Sequence, residues 1–359
     1  MIHLSQPDIG LRERTYVSNA LAREQLSGGD YVSQLESVWA NLCHTKYAVA
    51  CNSGTAALHL TMLAAGIQPG QGVIVPATTY IATANAVAYC GGTVQIADVD
   101  PDTWTLTPET AMPAADQHTV AAVAVHLYGQ PAAMILLQNM SAAMGWFLIE
   151  DAAEAHGAFI TDGSVGGLAD MGVFSFYGNK IIAAGEGGMV VTSDDGLYNF
   201  LQLYRGQAAN LTPAGHYWHS EVGYNYRMPE LTAAVAMAQT ERLPELLAKR
   251  QAVAAWYQEC LPDVRGTWER QGGAVHWLAV TLLPSQTARE AVARRLRNAG
   301  IETRPVFPPL HWQPPYRNER LHLPVAEDLY CRGLCLPLHT GLTRADVERI
   351  GEVINAWRA

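Results

Sequence analysis

The stretch GVFSFYGNKIIAAGEGGMVVTS, residues 172–193, decides the reading of this chain. GVFSF (172–176) and GMVVTS (188–193) both read as apolar strands. The segment GNKIIAAGEGG between them is too tight for a helical crossover, so at least one strand here runs antiparallel to its neighbour. Lys180 sits between the first strand and a run of small residues. An ammonium among small and apolar groups is costly to bury in charged form, so its pKa falls toward neutrality. A neutral amine there forms an imine with an aldehyde. Taken alone, the motif also fits a surface lysine in a hairpin.

Upstream, helix-like and strand-like pieces alternate. An early helix ends near His44, and a small-residue helix starts at Gly54 in GTAALHLTMLAAG. GVIVP (72–76) is a strand, TYIATANAVAYCG a helix and TVQIADVD (93–100) a strand. TVAAVAVHLYG (119–129) and WFLIED (146–151) are strands on either side of a helix near 131–143. Continuous apolar strands alternating with helices predict a mostly parallel sheet covered on both faces. After the helix MPELTAAVAMAQTERL (228–243) the pattern changes. A long helix, the strand AVHWLAVTL, the helix TAREAVARRLRNA, the strand IETRPVF and a last helix capped at Thr343 predict a smaller α+β domain. The division expected is 1–243 for the large α/β domain with its N-terminal segment and 244–359 for the small one, consistent with a chain of 359 residues.

Composition narrows the function classes. A formal charge of -10 opposes broad binding to nucleic acid. No segment approaches the roughly 20 apolar residues of a membrane span, and MIHLSQPDIGLRER lacks the apolar run of a signal peptide. Cys43, Cys51, Cys90, Cys260, Cys331 and Cys335 lie in apolar contexts without zinc spacing, which predicts reduced core thiols in a cytoplasmic protein. No metal site is expected. His216 and His219 form only an HxxH pair, DVDPD (98–102) reads as a turn, and Glu150–Asp151 lacks further ligands.

Several segments fit a cofactor site around Lys180. CNSGTAAL sets Ser53, Gly54 and Thr55 at a helix start, where free N–H groups and the helix dipole bind phosphate; capping alone explains a lone SGT equally well. Asp151 ends an apolar strand, where ligands of open α/β sheets sit, and a carboxylate there holds a pyridine nitrogen protonated. Glu154, one turn later, reaches a phenolic oxygen of the same ligand. Ser175 offers a hydroxyl to the phosphate. Tyr80, after another strand end, can stack on a flat ring or be an ordinary half-buried aromatic.

Together NSGTAALHL, VIVPATTYIATANAV, VDPDTWTL, VHLYGQP, IEDAAEAHGA, FSFYGNKIIAAGEGGMV, GYNYRMPELTAAV and LPLHTGL, in this order over essentially the whole chain, resemble the DegT/DnrJ/EryC1/StrS family of sugar aminotransferases. The resemblance implies the α/β fold of fold type I enzymes, with a mostly parallel mixed sheet and a smaller C-terminal α+β domain, and pyridoxal 5'-phosphate as cofactor. It gives Lys180 the covalent link to the cofactor and the later proton transfers. Asp151 becomes the partner of the ring nitrogen, Glu154 the neighbour of the phenolic oxygen and Tyr80 the stacking aromatic. Gly54, Thr55 and Ser175 become phosphate contacts. Asn225 is expected to reach the phosphate of a neighbouring subunit, which implies a homodimer or higher homo-oligomer with shared sites. GNKIIAAGEGGM and TRPVFPPLHWQPPY are most similar to the branch with the GDP-perosamine synthases and related position-4 aminotransferases. Ala183–Ala184 depart from the polar residue many relatives carry there.

The implied reaction moves an amino group from L-glutamate to a nucleotide-linked 4-keto-6-deoxy sugar. Candidates for holding that sugar are Asn179, His311 and Tyr316, with Tyr226 and Arg227 from a partner subunit. Packing at an interface or ordering of the proline-rich loop explains Tyr226, His311 and Tyr316 equally well. Three alternatives stand beside this: amination at position 3 of a dTDP- or UDP-sugar, a sugar 3-dehydratase on the same fold, and a non-catalytic binding regulator. The dehydratases carry histidine in place of the lysine, and Lys180 opposes that reading.

Overall fold

The computed structural model describes residues 1–359 apart from 162, 213, 214, 220, 263, 265, 271 and 359; for 210–212, 215–217 and 269 it describes the backbone alone. Seven strands form the main sheet: β1 (Tyr47–Cys51), β2 (Gly72–Pro76), β3 (Thr93–Ala97), β4 (Thr119–Val125), β5 (Phe147–Asp151), β6 (Met171–Ser175) and β7 (Gly188–Thr192). Their order is β1-β7-β6-β5-β4-β2-β3. Strands β3, β2, β4, β5 and β6 pair in parallel. β7 is antiparallel to both β6 and β1, as the tight link through Lys180 requires.

The helices of eight residues or more are α1 (Leu11–Ala22), α2 (Asp30–Leu42), α3 (Gly54–Ala64), α4 (Ala82–Tyr89), α5 (Met134–Met144), α6 (Asp195–Arg205), α7 (Glu230–Glu241), α8 (Leu243–Cys260), α9 (Gln286–Asn298), α10 (Pro324–Arg332) and α11 (Arg344–Arg358). Period-two alternation sorts the sheet's side chains between two cores. Ala48 and Ala50 of β1 and Met189 and Val191 of β7 pack with Leu35 and Trp39 of α2 and Ala233 of α7. Val49, Cys51 and Val190 face the other way, onto Leu58, Leu60 and Met62 of α3 and Val87 of α4. Both faces are therefore covered, which explains why the strands read as unbroken apolar runs.

A second sheet of three antiparallel strands, β8 (Ala279–Leu282), β9 (Arg304–Pro305) and β10 (Gly333–Leu336), has the order β8-β10-β9. Its core joins Leu334 and Leu336 to Tyr257 of α8, Val292 and Leu296 of α9, and Ile350 and Ile354 of α11. The N-terminal segment adds to this layer: Ile2 N donates to Gly300 O at 2.8 Å and Glu302 N donates to Ile2 O at 2.9 Å. Thr343 and Asp346 cap α11 reciprocally, as expected.

Three strands are shorter than their apolar runs. β3 stops at Ala97 because Asp98 turns away and Asp100 closes a turn, its carboxylate accepting from Thr103 N at 2.8 Å. β4 stops at Val125, followed by Tyr128 at φ 52 and Gly129 at φ 84. A Cβ on Gly129 would lie 2.0 Å from Val275 O, so that approach needs glycine. The run AVHWLAVTL becomes strand only from Ala279, since Arg250 takes the carbonyls of His276 and Trp277 at 3.3 and 3.0 Å.

Candidate functional site

The carboxyl ends of β5 and β6, the start of α3 and the segments at the start of β8 and along β9 of the second sheet enclose a cavity of about 450 Å³. Ser53, Gly54, Thr55, Tyr80, Asp151, Glu154, Ser175, Asn179 and Lys180 all line it. Nine residues proposed from separate sequence segments thus meet around one space.

Ser53 takes an extended conformation and caps α3, its Oγ accepting from Ala56 N at 3.1 Å. The N–H groups of the first turn that follows have no intrahelical acceptors. A Cβ on Gly54 would stand 2.7 Å from Cβ of Ser175, so glycine lets the helix start close against the end of β6. The result is a small cradle of backbone donors with the Ser175 hydroxyl beside it, suited to a phosphate.

Asp151, 6% exposed at the end of β5, is held on both oxygens. Thr83 Oγ1 donates to Oδ2 at 2.8 Å and Ala153 N donates to Oδ1 at 3.2 Å. Thr83 in turn contacts the Thr79 hydroxyl at 3.0 Å. Glu150 points away to the opposite face, accepting from Gly166 N at 2.8 Å and Leu168 N at 2.7 Å and meeting His126 Nε2 at 3.0 Å. The two adjacent carboxylates therefore do not converge on one ligand.

Lys180 Nζ lies 3.7 Å from Glu154 Oε1 and 4.1 Å from the ring centroid of Trp277. Burial lowers its pKa, against the pull of the Glu154 and Asp151 carboxylates. Burial raises that of Glu154, opposed by Lys180 and by Tyr128 N, which donates to Oε2 at 2.8 Å. A desolvated amine beside a carboxyl group is poised to exchange protons. Trp277 Nε1 donates to Asn179 O at 2.7 Å, fixing the loop that carries Lys180. Asn179 Oδ1 is buried without a partner, and Tyr80 is 58% exposed at the cavity's edge, 6.0 Å from the Phe307 ring.

Asn225, Tyr226, Arg227, His311 and Tyr316 are not among the residues lining this cavity. Tyr226 OH meets His59 Nδ1 at 3.0 Å, and Asn225 Oδ1 accepts from Arg227 Nη2 at 3.1 Å. His311 Nε2 contacts Glu327 Oε1 at 3.1 Å and Tyr316 OH donates to Asn85 Oδ1 at 2.6 Å, both within or beside the proline-rich loop. The side chain of His216 lies outside the described residues; His219 Nδ1 donates to Gln207 O at 2.8 Å.

Trp277, Arg304, Phe307, Thr83 and Glu186 were not singled out by the sequence reading. The first three come from the second sheet, where Trp277 hides in an apolar run and Arg304 stands as a lone charge before PVFPPL. An arginine directly before an apolar, proline-rich run was the available signal.

An aldehyde, a phosphate and a basic ring nitrogen would each meet a fitting group here: Lys180, the Gly54–Ser175 cradle and Asp151. Residues 7–355 match the DegT/DnrJ/EryC1/StrS aminotransferase family. Among similar proteins, the GDP-perosamine synthase of Caulobacter vibrioides is 41% identical, over 97% of this chain and 96% of its own length. That of Escherichia coli O157:H7 is 37% identical, over 99% and 98%. The solved structure of DesV from S. venezuelae superposes with a TM-score of 0.90 at 31% identity, over 98% of each chain.

Proposed function

The chain belongs to the DegT/DnrJ/EryC1/StrS aminotransferase family, and from that premise we propose that it moves the amino group of L-glutamate to position 4 of a GDP-linked 4-keto-6-deoxy sugar. It is a pyridoxal-phosphate-dependent sugar aminotransferase. The 4-keto sugar is favoured because the chain resembles GDP-perosamine synthases from two organisms over nearly its full length.

Bound in the cavity, pyridoxal phosphate supplies an aldehyde that condenses with amines and a protonated ring that takes up electrons from a breaking C–H bond. We assign its phosphate to Ser53, Gly54, Thr55 and Ser175, with Asn225 reaching in from a second copy of the chain. Asp151 would hold the ring nitrogen and keep it charged, Tyr80 would cover the ring face, and Glu154 would meet the phenolic oxygen. Lys180 Nζ would be the amine that holds the aldehyde. The same Nζ would serve as the base that takes the proton from the α carbon of glutamate and the acid that delivers one to position 4 of the sugar.

Asn179, His311 and Tyr316 are assigned to the sugar nucleotide, with Tyr226 and Arg227 from the second copy. The proline-rich loop is anchored near the cavity, since Leu310 N donates to Ala77 O at 2.9 Å, just before Tyr80. The same reading makes the enzyme a cytoplasmic homodimer built from the units 1–243 and 244–359. Its six cysteines are free, and no described helix is long and apolar enough to cross a membrane.

The observation that carries the proposal is the buried Lys180 amine, 3.7 Å from Glu154, in a cavity also lined by Asp151 and Ser175. Borohydride reduction of the cofactor-loaded enzyme followed by peptide mass analysis should place the reduced cofactor on Lys180, and Lys180→Ala should abolish amino transfer. A label on another lysine, or full activity in the variant, would overturn the assignment.

A further inference from the structure

His59 belongs to α3 and lies outside the cavity, yet it is polar and buried. Its Nδ1 meets Tyr226 OH at 3.0 Å, while Nε2 is buried with no hydrogen-bond partner. Leaving a buried nitrogen unpaired is costly, and an apolar side chain at this position would avoid that cost. Three tyrosine rings stand edge-on to the imidazole: Tyr224 at 5.0 Å, Tyr89 at 5.4 Å and Tyr226 at 5.9 Å. Among the described residues, the one side-chain hydrogen bond of His59 thus goes to the segment 224–227.

That segment is a strut with two faces. Asn225 pairs with Gly206 and Arg227 with Cys51, and alternation along such a paired backbone sorts its side chains. Tyr224 and Tyr226 pack inward with the α3 core, and Asn225 and Arg227 are exposed. The backbone is tied down: Tyr224 N donates to Tyr204 O at 2.8 Å and Tyr226 N to Arg205 O at 3.0 Å. Asn52, beside the Ser53 cap, donates from N to Tyr226 O at 2.8 Å and from Nδ2 to Asn225 O at 3.1 Å. These bonds leave the Tyr226 hydroxyl to His59. α3 starts at the cofactor cradle of its own copy. Roughly 8 Å further along its axis, at His59, it holds the segment assigned above to the second copy's cofactor.

We propose that His59 is a positioning residue for the second copy's cofactor: by holding Tyr226 inward it keeps Asn225 aimed outward, toward the phosphate in the other copy. This rests on the reading above that two copies share their sites. One helix then serves two cofactors, its own through the cradle and the other copy's through His59.

The test uses mixed dimers assembled from differently tagged subunits and titrated with pyridoxal phosphate. One subunit of each dimer carries Lys180→Ala, so the absorbance of cofactor joined to lysine reports only the other subunit's site. His59→Phe keeps the ring packing and removes the hydrogen bond. Placed on the Lys180→Ala subunit, it should raise the cofactor Kd of the reporting site about tenfold. Placed on the reporting subunit itself, it should leave that Kd close to that of the mixed dimer without it. Tyr226→Phe removes the same bond from its other end and should reproduce both results; it is the variant to read if His59→Phe does not fold. A rise only when the substitution shares a subunit with the reporting site, an equal rise in both arrangements, or no rise would each overturn the proposal. Asn225→Ala on the Lys180→Ala subunit separates the two readings. If it raises the Kd while His59→Phe does not, only the role of His59 falls. If it has no effect, the shared-site reading falls and this inference with it.

Discussion

Gly54 is the residue at which sequence and chemistry meet most closely. As part of NSGTAAL it reads as a helix start that could hold a phosphate or simply be capped. In the fold its missing side chain lets α3 begin against Ser175, and this contact sets the backbone donors of the helix start beside the Ser175 hydroxyl. An added methyl group would meet Ser175 Cβ at 2.7 Å, so something must shift. Overpacking of this kind costs about 1–3 kcal/mol. Gly54→Ala should therefore weaken cofactor affinity by roughly 5- to 150-fold, read by absorbance titration of the apoenzyme. Unchanged affinity would show that the cradle does not hold the phosphate. Lys180 and Asp151 were legible as residue types at strand ends. Trp277 and Arg304 were not, because their importance arises only when the second sheet folds over the first.

At the scale of elements, the strands and helices of the main sheet were legible because both faces are buried and the apolar runs are long. Their ends were less so. DVDPD reads as a turn, and Asp100 does close one, with Thr103 and Asp102 as donors. Asp98 has a second task that no local pattern announces. Its carboxylate accepts from Val325 N at 3.0 Å and Ala326 N at 2.9 Å, capping α10 from a position far away in the chain. α10 begins with Pro324, so these are first-turn donors with no partner inside the helix. Asp98→Ala should lower stability by about 1–2 kcal/mol, the usual worth of a cap, measured from the shift of the urea midpoint. A midpoint equal to wild type would mean that α10 does not depend on this carboxylate.

At the scale of the whole molecule, the cavity exists only where the two sheets meet. The main sheet supplies Asp151 and Ser175 from its strand ends and Lys180 from the loop between β6 and β7; the second layer supplies Trp277, Arg304 and Phe307. Arg250 of α8 helps set that juxtaposition: Nη1 bonds the carbonyls of His276, Trp277 and Leu338 and so carries the indole toward Lys180. Even the first residues take part, with Ser5 Oγ donating to Asn179 O at 3.2 Å. Contacts between residues 174 positions apart leave no trace in local periodicity. The fold class was legible in patterning and motif order, whereas the closing wall of the site had to be seen folded.

The central claim, amino transfer to position 4 of a GDP-linked keto sugar, is tested most directly by following the nitrogen. The enzyme would be incubated with pyridoxal phosphate, isotope-labelled L-glutamate and GDP-4-keto-6-deoxymannose, and the sugar product examined by NMR. The account predicts a GDP-linked amino sugar carrying the labelled nitrogen at position 4. Label at position 3, or glutamate turnover with no labelled sugar, would contradict it.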